Sequence, residues 1–511
     1  MALARFFERV FRAAGRALVV SRETLETALG SQVVAVQCGA ACAAEGNARW
    51  IAELLVNLLV RLYPRLAIAS ELPDVREHLI GIAKSINPAV DVEDATGATV
   101  TVVVGSEESS HPNTIYARAD GWVARVLFQP SRSPLGPANP YAAAAAAALA
   151  AAEVFRRVFR DRLPTQQEPR EVSLSLLDFS EEAGAEEPLG PADVGQVVMA
   201  GLGAVGNGAL WAMGRHASLT GEVWLVDHET VELSNLQRYV LAADSDERAA
   251  KVDLADAALR HTGLRRYLCR ETLESFAERF REGFTLPTVC VSVDNVPSRR
   301  AVQALLPRLV LNGWTGDMSL GASWHEFDRE AACLSCLYHP NGPRPSQTDM
   351  VAEALGLDPE RAGKLWINAE APEPEELVQM EKHLGLKPGD LSGWRGKPLG
   401  DIYTGVICGS VRLDVQGLGR VEVVPLAHQS VLAGALMAAE LVKRSTPSLG
   451  ARSQHQVLTV WEDVLRRPPP AGRWLRDRSR EPGCICGDKV YQEVYQRKWR
   501  TVATPGDMAP R

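Results

Sequence analysis

The sequence predicts an α/β protein built from two related parallel-sheet modules, on three observations. Short apolar strands alternate with helical stretches in βαβ order. The two halves open alike and close alike. Between them, Glu181-Glu182-Ala183-Gly184-Ala185-Glu186-Glu187-Pro188-Leu189-Gly190-Pro191 is acidic, broken by Pro and Gly, and without apolar periodicity.

The elements follow in order. Arg5, Arg9, Arg12 and Arg16 recur at helical spacing among Phe7, Val10, Phe11, Ala14 and Leu18, which reads as an amphipathic first helix rather than a transit peptide. Gln32–Val36 is a strand, followed by a small-residue loop from Cys38 to Gly46-Asn47, a helix through about Leu62 and a strand at Leu66–Ala69. Asn139-Pro140-Tyr141 then leads into an alanine-rich helix ending near Phe155. Residues 166–191 read as a linker. Beyond it, strand Gln196–Ala200 runs into Gly201-Leu202-Gly203-Ala204-Val205-Gly206-Asn207, a helix to about His216 and strand Val223–Asp227. Val424-Pro425-Leu426 opens a closing helix containing Ala438-Ala439-Glu440. The expected domains are residues 1–165, a degenerate copy, and 192–511, an equipped copy with a helical, Pro-broken insert at 341–408.

Composition bounds the function classes. A chain of 511 residues exceeds the roughly 250–300 at which one core stops growing, so about three domains are expected. Hydrophobic residues at 46% and charged residues at 23% are ordinary globular values, which excludes a disordered or collagen-like chain. A net charge of −8 excludes a general nucleic-acid coat. No apolar run approaches the roughly 20 residues of a membrane span, so no membrane association is expected. Nine cysteines are too sparse for a disulfide scaffold, so a reducing cytoplasm is expected, where paired cysteines indicate metal binding or catalysis.

Gly201, Gly203 and Gly206 form Gly-x-Gly-x-x-Gly between a strand and a helix. Glycine lets phosphate approach the backbone, and the helix N-terminus presents free N–H groups. Asp227 ends the next strand about 20 positions on, where a ribose contact is expected. That much suits an NAD-linked Rossmann oxidoreductase equally well. Asn235, Arg238 and Lys251 add donors that a nucleoside triphosphate under attack requires. Asp294 ends a buried strand, at the edge where open α/β sheets bind ligands, and a carboxylate there suits Mg²⁺.

The segment Val197–Arg300 resembles the ubiquitin-activating enzyme superfamily, including ThiF-like adenylyltransferases that activate sulfur-carrier proteins for thiamine and molybdopterin synthesis. The resemblance rests on Gly201-Leu202-Gly203-Ala204-Val205-Gly206-Asn207, Asp227-x-Glu229-x-Val231-x-x-Ser234-Asn235-Leu236-x-Arg238, Lys251, and Asp294-Asn295-x-x-x-Arg299. It implies two Rossmann-like adenylation modules, the first inactive. The glycines would cradle phosphate, Asp227 would hold the ribose, Asn235, Arg238 and Lys251 would contact the triphosphate, and Asp294 would bind Mg²⁺. The implied reaction is adenylation of the C-terminus of a ubiquitin-like protein by ATP. An arginine from the inactive half is expected at the triphosphate, with Arg22 the candidate. A homodimer stays open.

Cys333-x-x-Cys336 and Cys484-x-Cys486 suit tetrahedral Zn²⁺, with His339 in reserve. Cys408 ends the insert, in or beside which activating enzymes of the conjugating kind carry a thioester cysteine. The resemblance thus implies thioester formation on Cys408 and transfer to a conjugating enzyme, in a bacterial ubiquitin-like conjugation system, some of which serve antiphage defence. The alternative is sulfur-carrier-type adenylation without that transfer.

Overall fold

The computed structural model describes residues 3–18, 20–105, 107–131, 133–163, 169–280, 283–316, 318–338, 347–384, 386–403, 425–450, 457–461, 466–467, 475–476 and 478–501. Cys408 and His339 lie outside the described residues.

Two mixed, largely parallel sheets organise the chain. The first contains β1 (Val34–Cys38), β2 (Arg65–Ser70), β3 (Asp91–Glu93), β4 (Val100–Val104), β5 (Thr114–Asp120), β6 (Val123–Leu127) and β7 (Val172–Ser175), in the order β3-β2-β1-β4-β5-β6-β7. The second contains β8 (Ala192–Ala200), β9 (Leu219–Val226), β10 (Gly263–Cys269), β11 (Thr288–Val291), β12 (Leu309–Thr315), β13 (Leu320–His325), β14 (Val457–Trp461) and β15 (Leu475–Arg476), in the order β10-β9-β8-β11-β12-β13-β14-β15. In each, five parallel strands carry antiparallel strands at one edge. The two sheets therefore have one topology, the second with one strand more. β7 and the buried Leu176, Leu177 and Phe179 belong to the stretch read as a linker. The start of that stretch thus closes the edge of the first sheet.

The helices repeat the relationship. We label α1 (Phe7–Val10), α2 (Asn47–Val60), α3 (Pro140–Val158), α4 (Ala204–Met213), α5 (Val296–Ala304), α6 (Ala427–Ser445) and α7 (Lys489–Thr501). α3 and α6 each have 19 residues and pack on one another. Alanine-rich faces allow close approach, because small side chains leave the backbones exposed to each other. The side chains match position for position. Glu153 pairs with Arg156 and Arg157, and Glu440 with Lys443 and Arg444. α4 meets α6 through glycine on both sides. A Cβ at Gly208 would fall 2.7 Å from Val431 Cα, and one at Gly434 2.3 Å from Val205 O.

Residues 339–423 form a separate compact unit. Within it, helices Gln347–Leu355, Pro359–Ile367 and Pro374–His383 enclose Leu355, Leu365, Leu377, Met380 and Leu399. Its buried Glu381 accepts hydrogen bonds from the backbone N–H groups of Gly389 and Leu391. Among the described residues, no helix is long and apolar enough to cross a membrane.

Candidate active site and cysteine centre

β8 ends in the glycine loop. Gly201 has φ +85, in the left-handed region that glycine favours. A Cβ at Gly206 would stand 2.6 Å from Gly201 O, so the turn closes only with glycine there. Gly203 caps α4 with no side-chain hydrogen bond, and the first-turn N–H groups are the donors an anion requires. Asn207 ties the loop from within. Its Nδ2 donates to Leu202 O at 2.8 Å, and its Oδ1 accepts from Leu241 N at 3.1 Å.

Asp227, just past β9, accepts from Leu202 N at 2.8 Å and from Glu229 N at 2.9 Å. Its carboxylate therefore fixes the loop. Lys251 is buried, bonds Glu229 and lies 5.3 Å from the Tyr239 ring centre. Burial disfavours its charge, but the oxygens of Tyr239, Asp227 and Glu229 outweigh that and raise its pKa. Asn235 and Arg238 stand on and just after the turn Leu233–Gln237, and Asn235 Oδ1 accepts from Glu232 N. Gly203, Asp227, Lys251 and the Asn235–Arg238 turn are thereby joined through Leu202, Glu229 and Tyr239.

Asp294 follows β11 and accepts from Asn295 Nδ2 at 3.3 Å. Asn295 caps α5, accepting from Ser298 N. The buried Arg299 donates to Val293 O and to Asn312 Oδ1, which fixes the backbone just before Asp294. Ser292 Oγ donates to Gly201 O, bringing the Asp294 strand end to the glycine loop.

Arg22, the first residue of helix Arg22–Gly30, donates to Glu26 at 2.8 Å and Glu8 at 2.7 Å. Its ion pairs stay inside the N-terminal region. Two other features there cross to the second module: Arg5 pairs with Asp244 and Glu247, and α1 packs on the turn Leu233–Gln237. Sequence reasoning passed over Asn57 and Arg61. They reach Val240 O, Leu236 O and Ala242 O on either side of Arg238.

The first module's loop differs. A Cβ at Gly39 would fall 1.4 Å from Glu107 Oε2, and Glu107 Oε1 accepts from Ala40 N at 2.8 Å. A carboxylate of the chain itself thus takes a backbone donor of this loop, Ala40 N.

Cys333, Cys336, Cys484 and Cys486 are all buried, with their sulfurs within 4.8 Å of one another. The separations Cys333–Cys336, Cys333–Cys484 and Cys336–Cys486 are 3.8, 3.6 and 3.4 Å. Four sulfurs at about 2.3 Å from a tetrahedral ion stand about 3.8 Å apart, so the cluster can hold Zn²⁺. These distances far exceed the roughly 2.05 Å of a disulfide. α7 packs beside it through Tyr495 and Trp499.

Residues 192–460 match the family model described as the ThiF family. The chain belongs to the ThiF family. ThiF-family adenylyltransferases bind ATP and adenylate a substrate, and the second module has their fold. Residues 35–160 match the model described as prokaryotic E2 family C. The uncharacterized protein y4jF of Sinorhizobium fredii (strain NBRC 101917 / NGR234) is 36% identical over 532 residues, covering 99% of this chain and 99% of that protein. A crystal structure of E. coli MccB with MccA-N7isoASN is 14% identical, covers 57% of this chain and 67% of that one, and has a TM-score of 0.34. A crystal structure of PaaA is 18% identical, covers 25% and 40%, and has a TM-score of 0.21.

Proposed function

We propose that the second module uses ATP to adenylate the C-terminal carboxylate of a ubiquitin-like protein. The observation that carries this is the contrast between two modules of one topology. One keeps an open glycine loop beside Asp227, Lys251 and Asp294, whereas the other has Glu107 seated on its loop.

In this reading the glycine-loop N–H groups receive the phosphates, and Asp227 holds both the loop and the ribose. Arg238 and Lys251 neutralise the triphosphate, and Asn235 donates hydrogen bonds to it. Asp294 holds Mg²⁺, which screens charge between two anions. The substrate carboxylate attacks the α-phosphorus. The bond to the β-phosphate breaks, and pyrophosphate leaves with the electron pair. Electrostatics and positioning supply the rate, because two anions must be brought into contact. Arg22 is the arginine proposed from the first half.

The thiolate of Cys408 then attacks the acyl carbon, AMP departs, and the thioester passes to a conjugating-type enzyme. The match of residues 35–160 to prokaryotic E2 family C supports a conjugation setting. Zn²⁺ held by Cys333, Cys336, Cys484 and Cys486 has a structural role. The setting proposed is a bacterial cytoplasmic conjugation system.

The test is ATP–pyrophosphate exchange stimulated by a ubiquitin-like protein with a free C-terminus. Wild type should exchange and form a thiol-sensitive adduct. Cys408→Ala should keep exchange and lose the adduct. An adduct that persists removes Cys408 from the role, and NAD binding without ATP binding overturns the whole reading.

A further inference from the structure

The second module's phosphate-side turn is held by the first. The segment Leu236–Ala242 carries Arg238 and Tyr239, and its backbone carbonyls point at α2 of the first module. Asn57 Nδ2 donates to Val240 O at 2.9 Å. Arg61 Nη2 donates to Ala242 O at 2.9 Å, and Nη1 donates to Leu236 O. Arg61 Nε bonds Asn57 Oδ1 at 3.0 Å, so the two side chains act as one unit.

Two features separate this contact from ordinary interface packing. Arg61 is 2% exposed, and its hydrogen-bond partners are one amide oxygen and two backbone carbonyls, with no carboxylate among them. Burying a guanidinium without a counter-ion is costly, and carbonyl dipoles offset that only while the turn keeps this shape. The arrangement is also one-sided. Counting from Asn47 and its counterpart Asn207, Asn57 and Arg61 correspond to Ala217 and Gly221. α2 has 14 residues where α4 has 10; the last turn of α2 carries Asn57, and Arg61 follows directly as its C-cap. The first module therefore holds the second by a device that the second does not return.

We infer that Arg61, with Asn57, is a positioning residue for ATP binding: by fixing the carbonyls of Leu236, Val240 and Ala242 it sets Arg238 against the triphosphate. This rests on the adenylation reading above. It gives the module without an open loop a direct part in the reaction.

The experiment measures the affinity of the full-length protein for a fluorescent ATP analogue with Mg²⁺, which needs no protein substrate. The variants are Arg61→Ala, Asn57→Ala, Arg238→Ala and the double variant Arg61→Ala/Arg238→Ala. Thermal melts identify those that fold. Arg61→Ala should weaken binding at least about tenfold, and the same change on the Arg238→Ala background should weaken it less than about threefold, because coupled residues are not additive. Equal losses on both backgrounds would overturn the inference and leave Arg61 as interface packing. If Arg61→Ala does not fold, Asn57→Ala takes its place in the cycle and is judged by the same criterion, with a smaller effect from one lost hydrogen bond. A wild type that fails to bind the analogue overturns the adenylation reading instead, so the two failures are distinct.

Discussion

Glu107 stands in the first sheet where Asp294 stands in the second. Val104 of β4 is registered with Cys38 of β1, and Val291 of β11 with Ala200 of β8. Each acid lies three residues past its strand end. Glu107 has the longer side chain and folds onto Ala40 N, whereas Asp294 is exposed and accepts only from Asn295 among the described residues. One methylene separates an acid that fills its loop from one that leaves it open.

Opposite phenotypes follow for these two positions. Asp294→Ala should keep its melting temperature and lose about 10²-fold or more of ATP–pyrophosphate exchange. Glu107→Ala should keep ATP affinity and lose at most about 1 kcal/mol of stability, because water can replace the acceptor of the exposed Ala40 N. Exchange assays and denaturant titrations on both variants check this.

The glycines separate by geometry. Gly206→Ala places a Cβ 2.6 Å from Gly201 O, so the loop must open. Both stability and ATP affinity should fall, stability by about 1–3 kcal/mol. At Gly203 the added Cβ meets only Tyr239 Oη, at 3.4 Å. Gly203→Ala should therefore melt as wild type and lose ATP affinity alone, read by calorimetric titration.

The cysteine centre predicts one Zn²⁺ per chain, measured by elemental analysis of the purified protein. Cys484→Ser or Cys486→Ser should release it. α7 is anchored there through Tyr495 and by Trp499 Nε1 on Leu306 O. Metal removal should then expose α7 to limited proteolysis and change Trp499 fluorescence.

Acid should loosen the contact between the modules. Buried Glu53 of the first module bonds Arg215 of the second at 3.0 Å, and Arg49 and His78 of its own. Burial alone would raise its pKa, but Arg215, Arg49 and His78 outweigh burial and hold it below the usual value. Its stabilisation is therefore complete above the unfolded value of about 4.3 and is lost as pH falls through the lower folded value. Melting temperature should fall more steeply from about pH 6 to about pH 3 in wild type than in Glu53→Gln.

Much of this architecture is legible in the sequence, because its signals are local. The βαβ order comes from apolar runs, the loop from Gly201, Gly203 and Gly206, and the metal centre from two tight cysteine pairs. The likeness of the two halves is visible in Gly46-Asn47 beside Gly206-Asn207, and in the structure it includes Glu153 and Glu440. What escaped notice depends on distance in the fold. Arg61 is one arginine at a helix end, and its partners are backbone carbonyls far along the chain, which no side-chain pattern announces. Glu107 becomes meaningful only through strand register. β7 is a four-residue strand beside an acidic stretch, too short to outweigh its neighbours in composition. Arg22 stands before β1; Glu26 lies one helical turn on at i+4, whereas Glu8, fourteen residues back, reaches it only because the chain folds back.

The extra length of α2 has an evolutionary meaning. In a pair made of two identical chains, lengthening one helix lengthens it in both partners, and each site must accept the change. Joined in one polypeptide, the halves are inherited together yet mutate separately. Residues that would obstruct an ATP loop can accumulate in one half while that half becomes a fitted support for its sister. Two modules of one topology in one polypeptide can thus divide labour between them.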